Sequence, residues 1–410
     1  MDTSAAAVRP PVLRSRPLGA LLAAEVLSTT GSQMTWLALP WFVLVTTGSA
    51  KQMAFVVAAE AGGYALFGIP SGSVLDRLGA QPTMRLCDAV RAPLMLLVPV
   101  LHWTGHLTLP LLALIAFVLG TAGTPYMAAQ RVVVADILDE DEASVQRANA
   151  LLQGATRITM LCGPALGGVL IAAVGSPVVL IIDAASYVVA FVLVTLLVPV
   201  ARASRQEDGS DAQGVLAGVR YLFRDSLMRG WAVALVVGDA SFSVLFLAIP
   251  VLVYVHYGAN PRLAGAFLAC WGIGAVAGNV IAFRSDRIGG LDQAAPLVLL
   301  QALPLWAVAA PVPAAAVAAA LGLSGIANGL INPTLHSMLT LRPPAAVRAK
   351  VLTAMSTAST LGAPLALAVA APAFAAFGSR HVIAAAATGQ LAAMSYAAFV
   401  TIRHLAREPA

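Results

Sequence analysis

The chain has 410 residues, of which 59% are hydrophobic and only 10% are charged, and its mean hydropathy is +0.85. A water-soluble domain carries about 25% charged residues, so this chain has too few to cover a water-exposed surface of its size. The composition therefore indicates a protein embedded in lipid. It excludes a soluble enzyme, a secreted disulfide scaffold and a nucleic-acid-binding protein with a basic patch.

The apolar segments predict an all-α membrane protein with twelve transmembrane helices. About 20 apolar residues cross a bilayer core of about 30 Å. The run 18–45 meets this length and leads into further spans, so it predicts a retained first helix rather than a cleaved signal peptide. By the same criterion the spans lie at 18–45, 52–75, 85–102, 107–131, 148–174, 177–200, 229–256, 262–284, 293–311, 314–340, 350–377 and 381–402.

One long polar stretch divides the twelve spans into two groups of six. We therefore predict an N-terminal bundle over 1–200, a cytoplasmic linker over 201–228 and a C-terminal bundle over 229–410. The sequence Asp-Arg-Leu-Gly at 76–79 recurs as Asp-Arg-Ile-Gly at 286–289, after the second and the eighth span. Such a repeat is typical of transporters built from two pseudo-symmetric halves.

The basic residues predict the orientation of the chain. If both termini share one side, nineteen of the 24 Lys and Arg residues fall on that side, and the loops opposite hold only Lys51, Arg262 and Arg380. Positive residues are retained in the cytoplasm, so we expect both termini to be cytoplasmic.

The loop after the second span carries a first motif. Gly72, Asp76, Arg77 and Gly79 form the pattern G-x-x-x-D-R-x-G, which resembles the signature of the major facilitator superfamily. This resemblance implies a latch that holds the two bundles together when the cytoplasmic side is closed, with Arg131 as the expected partner of Asp76. The alternative is an ordinary solvated turn between helices.

A second motif lies in the fifth span. Gly163, Pro164, Gly167 and Gly168 form G-P-x-x-G-G, which is similar to the element of superfamily exporters that exchange substrate for protons. Together with residues 146–150 and 182–187, it resembles the drug:proton antiporter branch that contains macrolide-efflux and enterobactin-exporter proteins. Close helix packing in lipid would also explain the glycines.

Five acidic residues fall within predicted spans: Glu25, Glu60, Asp88, Asp183 and Asp239. A charge at the centre of a membrane helix costs about 2.5–3.5 kcal/mol on insertion scales, so its presence indicates a cavity, a partner or a bound proton. We expect Glu25, Asp239 and Glu60 to bind the coupling proton. The third and sixth spans are peripheral in the superfamily, so Asp88, paired with Arg91, and Asp183 are interpreted as structural.

Polar residues at helical spacing follow Glu25 on the first span, and Arg157 ends a similar stripe on the fifth. In the superfamily these two helices are neighbours. We therefore predict a Glu25–Arg157 ion pair whose strength changes between the inward-facing and outward-facing states.

The substrate cavity is predicted from polar and aromatic residues in the spans. Asn328, Asn332 and His336 recur at i, i+4 and i+8 on the tenth span, so they share one face of a helix that borders the cavity. Trp36, Tyr126 and Phe246 are the expected apolar contacts. Many small residues and few fixed charges favour an amphiphilic or lipophilic organic substrate.

The sequence thus predicts a secondary active transporter of the bacterial plasma membrane that exports an amphiphilic drug or secondary metabolite by proton antiport. The chain has no phosphate-binding loop and no metal-ligand spacing, so we expect neither an enzyme nor a cofactor. The expected partners are substrate, protons and lipid, without nucleic acid, and the protein is expected to act as a monomer. Two alternatives remain: an importer or facilitator of a small nutrient, and a non-transporting membrane scaffold or sensor.

Overall fold

A computed structural model describes residues 16–67, 71–138, 142–199, 219–284 and 291–406. These ranges are helical, without a strand, and the prediction of twelve spans is confirmed. The helices are α1 Arg16–Thr47, α2 Ala50–Leu66, α3 Ala80–Trp103, α4 Leu109–Ile137, α5 Glu142–Val174, α6 Ser176–Leu197, α7 Ser226–His256, α8 Pro261–Arg284, α9 Leu291–Ala302, α10 Ala314–Leu341, and α11 and α12 within Ala345–Leu405.

Several spans contain a break or an extension. A short helix, Ser71–Leu78, continues the second span, and α9 continues through a 3₁₀ turn into Trp306–Ala309. Gly378 separates α11 from α12 with a φ of 75°, which a glycine adopts without steric cost. Most of the predicted linker lies outside the described residues. Its described end, from 219, is largely helical, and α7 begins at Ser226 rather than at 229.

Seven segments of the described chain are long and apolar enough by themselves to cross a membrane: Leu109–Ile137, Arg147–Val174, Ser176–Leu197, Ser226–His256, Pro261–Arg284, Ala314–Leu341 and Gly362–Leu405. The helices α2 and α9 are shorter, and α1 and α3 carry the buried polar residues Glu25 and Asp88. A span whose polar face is buried inside a bundle does not need to be apolar on every side.

The helices form two six-helix bundles. In the first, α1 packs on α5 and α6 while α2 packs on α4; in the second, α7 packs on the α11–α12 pair while α8 packs on α10. Between the bundles, α5 contacts α8, α2 contacts the α11–α12 pair, and α1 contacts α7. The bundles therefore meet along helices that occupy matching places in the two halves.

The buried apolar residues form three clusters, which show where the bundles touch. We call the side on which α1 begins and α12 ends the terminal face, and the other side the opposite face. Towards the opposite face one cluster unites both bundles, with Leu37 and Phe42 of α1 packed in the same core as Ile249 of α7 and Phe267 of α8.

Towards the terminal face each bundle has a separate core. The first is built around Leu21, Met84 and Val133, and the second around Trp231 and Met394. The bundles are therefore joined on the opposite face and parted on the terminal face.

Candidate functional site

A cavity of about 340 Å³ lies between the two bundles. Its two walls differ chemically. The first bundle provides most of the polar side chains, namely Ser32, Gln33, Thr35, Glu60, Tyr64, Arg91 and Tyr187. The second bundle provides a mainly apolar wall, formed by Ser243, Phe246, Leu247, Pro250, Leu268, Ala363 and Leu367. The first bundle also provides apolar lining residues, namely Trp36, Pro40, Val57, Ala61, Met95 and Leu119. A molecule held there therefore meets the charged groups only from the first bundle and apolar side chains from both.

Aromatic rings border the cavity where the bundles face each other. Trp36 of α1 is 49% exposed, and its ring centroid lies 6.1 Å from that of Phe246 on α7. Phe246 in turn stacks on Phe242 at 4.1 Å, and Phe242 lies 5.0 Å from Trp271 of α8. Phe242 and Trp271 thus pack behind Phe246, which with Trp36 presents aromatic surface to the cavity.

Arg91 lies in the polar wall, although its sequence position on α3 suggested a peripheral structural residue. Its guanidinium carbon is 5.0 Å from the ring centroid of Tyr126 and 5.5 Å from that of Tyr187. No ion pair joins Arg91 to Asp88 or to any other acid of the described chain. The predicted Asp88–Arg91 pair is therefore wrong: α3 turns Arg91 to the cavity while Asp88 is fully buried, and no described residue donates a hydrogen bond to the Asp88 carboxylate.

Glu60 of α2 also lines the cavity. Among the residues that the structure describes, none forms an ion pair or a side-chain hydrogen bond with the Glu60 carboxyl. The two opposite charges in the polar wall, Glu60 and Arg91, are thus both available to a ligand or to water.

Asp183 joins α6 to α1. It is fully buried and accepts hydrogen bonds from Thr35 at 2.6 Å and from Ser186 at 3.2 Å. One turn along, the hydroxyls of Ser32 and Tyr187 lie 2.9 Å apart. These contacts agree with the structural interpretation of Asp183, and they place the hydroxyl-bearing face of α1 beside the cavity.

Glu25 has a different partner from the predicted one. Its carboxylate accepts hydrogen bonds from Thr29, at 2.8 Å, and from Gln130 of α4. Arg157 is exposed on α5 and does not pair with Glu25 in this structure. Gln130 was not predicted as a site residue, because an uncharged amide in the terminal part of the fourth span is only a weak sequence signal.

Asp239 lies on α7, one turn before Ser243. The Asp239 side chain is exposed and within hydrogen-bonding reach of Ser359 on α11, while the Ser243 hydroxyl donates to the Asp239 backbone carbonyl at 2.8 Å. Ser243 lines the cavity but Asp239 does not. Asp239 therefore lies on the terminal side of the cavity, where the bundles are parted.

Four residues predicted to contact substrate, Tyr126, Asn328, Asn332 and His336, do not line this cavity, and their contact with substrate stays a prediction. Tyr126 is 4% exposed and packs behind Arg91. On α10, Asn332 donates to Asn328 at 3.0 Å, and His336 bonds the Asn332 carbonyl at 2.9 Å. Helical spacing correctly grouped the three α10 side chains, but it does not specify which way their shared face points.

The described residues leave the gating motif incomplete. The surroundings of Gly72 and the side chain of Asp76 lie outside what the structure describes, so the Asp76–Arg131 latch stays a prediction. Arg77 and Arg131 are exposed. Gly79 precedes α3 with a φ of 82°, a left-handed conformation that favours glycine in this tight turn.

The exporter motif is where α5 packs closely on helices of both bundles. A Cβ atom on Gly163 would collide with Gln33, and one on Gly167 would lie 3.1 Å from the Met34 carbonyl oxygen. A Cβ on Gly168 would lie 2.5 Å from the Pro261 carbonyl oxygen of α8. The glycines therefore let α5 approach α1 on one side and α8 on the other.

Comparisons with known proteins agree with this architecture. The sequence profile described as "Major Facilitator Superfamily" matches residues 21–367. The chain is 25% identical over 373 residues to the multidrug efflux pump Tap of Mycobacterium tuberculosis, covering 87% of this chain and 86% of that protein. It is 22% identical over 370 residues to Tap of Mycolicibacterium fortuitum, with 87% and 88% covered.

Solved structures show the same fold. The nucleoside transporter NupG superposes with a TM-score of 0.71 at 14% identity, covering 95% of this chain and 98% of that one. A bacterial homologue of the human lysosomal transporter Spinster superposes with a TM-score of 0.69 at 16% identity, covering 98% and 100%. The protein is a multi-pass membrane transporter of small molecules and not an enzyme. With its twelve helices, its two bundles and its matching profile, the chain belongs to the Major Facilitator Superfamily.

Proposed function

We propose that this protein exports an amphiphilic small molecule across the bacterial plasma membrane in exchange for protons. The observation that carries the proposal is the cavity between the bundles, which has the charged Glu60 and Arg91 on the first-bundle side and a mainly apolar wall on the second-bundle side, with the rings of Trp36 and Phe246 meeting between them. An amphiphile matches both walls, whereas an inorganic ion or a sugar leaves the apolar wall unused. The relatives named multidrug efflux pumps support the outward direction.

The predicted orientation of the chain identifies which transport state the structure represents. With both termini cytoplasmic, as the basic residues predict, the parted face is the cytoplasmic one and the structure corresponds to an inward-facing state. An exporter must admit its substrate from this side. The aromatic wall near Trp36 then forms the deep end of the cavity.

Export requires that the two bundles rock between this state and an outward-facing one. In that step the core shared by α1, α7 and α8 must separate, and the two terminal-face cores must approach each other. The proposed Asp76–Arg131 latch acts on the approaching face. The glycine contact between α5 and α8 is on the face that opens.

Proton coupling is assigned to Glu25, Glu60 and Asp239, together with Arg157. Glu60 lines the cavity itself, so binding of a proton to its carboxyl changes the charge that a bound substrate meets. Glu25 and Asp239 lie on the terminal side, where the bundles are parted. Asp239 is exposed in this state, whereas Glu25 is buried and held by Thr29 and Gln130. We expect Arg157 to exchange with Gln130 as the partner of Glu25 when the bundles close over the cytoplasmic side.

The test is substrate-dependent proton movement in reconstituted vesicles loaded with a pH indicator. A pH gradient should drive accumulation of a fluorescent amphiphile, and adding the amphiphile alone should move protons in the opposite direction. Combined Glu25→Gln and Asp239→Asn substitutions should abolish proton movement, while substrate still binds.

Two outcomes contradict the proposal. Proton-driven transport that survives these neutral substitutions together with Glu60→Gln removes the assigned carboxyls from the coupling. Accumulation that persists when the pH gradient is collapsed favours a facilitator or an importer instead.

A further inference from the structure

Arg91 is a buried cation that forms no ion pair with any acid in the described part of the chain. Its side chain is 7% exposed, and it contacts the cavity. The rings of Tyr126 and Tyr187 flank the guanidinium, but no described residue accepts a hydrogen bond from it. An arginine carries five N–H donors and remains charged at every physiological pH.

The neighbouring acids do not neutralise Arg91 directly. Asp88, Asp183 and Glu60 are close enough to interact with it electrostatically, yet none forms an ion pair with it. A buried charge without a hydrogen-bonded partner is costly. Glu60 can become neutral by binding a proton, whereas Arg91 cannot lose its charge. The polar wall therefore keeps the positive charge of Arg91 at every physiological pH, with N–H groups from which no described residue accepts a hydrogen bond.

The apolar lining of the cavity indicates what the rest of a ligand with an anionic group must be like. Phe246 of the second bundle lies across from the polar wall, and Trp36 reaches it from α1 of the first bundle, with the two ring centroids 6.1 Å apart. A ligand whose ring system packs on Phe246 and its apolar second-bundle neighbours Leu247 and Leu268 directs a polar substituent towards the first bundle, where Arg91 lies.

We propose that Arg91 binds an anionic oxygen group of the substrate, such as a carboxylate or phenolate. The exported class then consists of amphiphiles that carry this group on an apolar ring system. This inference rests on the proposed export of amphiphiles through the same cavity. The inference adds the sign of the charge on the substrate and names Arg91 as the residue that recognises it.

Equilibrium binding to the purified protein in lipid nanodiscs, without any gradient, tests the proposal. Three probes share one ring system and differ in the end group: naphthylpropanoate, naphthylpropanol and naphthylpropylamine. At neutral pH the propanoate should bind about 10- to 100-fold tighter than the propanol, because a hydrogen bond to a charged group contributes about 1.5–3 kcal/mol.

Substitution of Arg91 should remove this preference. Arg91→Gln should bind the propanoate and the propanol equally, whereas Arg91→Lys should retain part of the preference, since it keeps the charge but loses the planar fork. Arg85→Gln is the matched control, because it removes a charge from the same helix outside the cavity. It should retain the full preference.

Thermal unfolding and size-exclusion chromatography report whether Arg91→Gln folds. If Arg91→Gln does not fold, the proposal is judged from the ratio of propanoate to propanol affinity in the wild type and in Arg91→Lys. The proposal is overturned if the wild type binds the propanoate no tighter than the propanol, if it binds the propylamine tightest, or if a folded Arg91→Gln keeps the preference. Anion-selective binding without export would contradict the proposed function and leave the role of Arg91 intact. Export without a preference for anions would contradict the role of Arg91 and leave the proposed function intact.

Discussion

Asp225 joins two helix ends on the terminal face. It caps α7 by accepting hydrogen bonds from the backbone N–H groups of Leu227 and Met228, and it forms an ion pair with Arg342 at 2.8 Å. Partial burial opposes ionisation, but these hydrogen bonds and the Arg342 charge together hold the pKa of Asp225 below its usual value. The contact ties the start of α7 to the end of α10.

The lowered pKa makes this contact depend on pH. A carboxyl with a lowered folded-state pKa stabilises the fold above its unfolded value of about 3.9, and the contribution is lost as the pH falls through the folded value. Asp225→Asn keeps the cap but loses the charge, so we expect it to cost less than about 1 kcal/mol at neutral pH. In thermal unfolding, the difference from wild type should begin to shrink as the pH falls below about 4 and should vanish only once the pH is below the lowered folded-state pKa of Asp225. A difference that persists in acid contradicts this account.

Asp183 shows how a buried carboxylate can fix helix positions. Asp183→Ala removes the acceptor of the buried Thr35 hydroxyl, so we expect a loss of about 1–3 kcal/mol in unfolding free energy. Thr30→Ala, which removes an exposed hydroxyl from the same helix α1, should be close to neutral. Equal melting temperatures for Asp183→Ala and wild type would remove Asp183 from the α1–α6 contact.

At the scale of single residues the sequence supports only part of the site. Trp36, Phe246 and Glu60 are identifiable as rare aromatic or acidic residues within spans. Arg91 had a signal as well, since it is one of only two basic residues placed inside spans. Its role depends on the rotation of α3 within the bundle. That rotation is set by tertiary packing, which the local sequence does not encode.

At the scale of elements, α5 packs on α1 of its own bundle and on α8 of the other bundle. Its glycines at 163, 167 and 168 allow backbone approach to α1 and α8, while Gly154 on the same helix has open space at its Cβ position. The sequence predicts the twelve helices well, because apolar length is a strong local signal. The partners of each glycine follow only from the packed structure.

Gly168→Ala therefore differs from Gly154→Ala. The added methyl group at 168 must push α5 away from Pro261 and Gly265, at a cost of about 1–3 kcal/mol, and should weaken closure of the opposite face. Gly154→Ala should be neutral or slightly stabilising. Melting temperature and export rate measure the two variants side by side. Equal behaviour of both would mean that the α5–α8 approach tolerates a side chain.

At the scale of the whole molecule, the three apolar cores define one of the two states, inward-facing and outward-facing, of the proposed transport cycle. The sequence does not reveal which state is more stable, because the same apolar faces must pack in both. The shared core on the opposite face and the separate cores on the terminal face are therefore properties of the folded arrangement. Rocking of the bundles exchanges these two arrangements around the cavity.

Distances between spin labels on the two faces test this central claim most directly. In a variant without native cysteines, one label pair at Leu138→Cys and Leu341→Cys reports on the terminal face, and a second at Thr104→Cys and Arg262→Cys reports on the opposite face. When substrate and pH are varied, the account predicts that the first distance shortens as the second lengthens. Distances that stay fixed, or that change in the same direction, would contradict it.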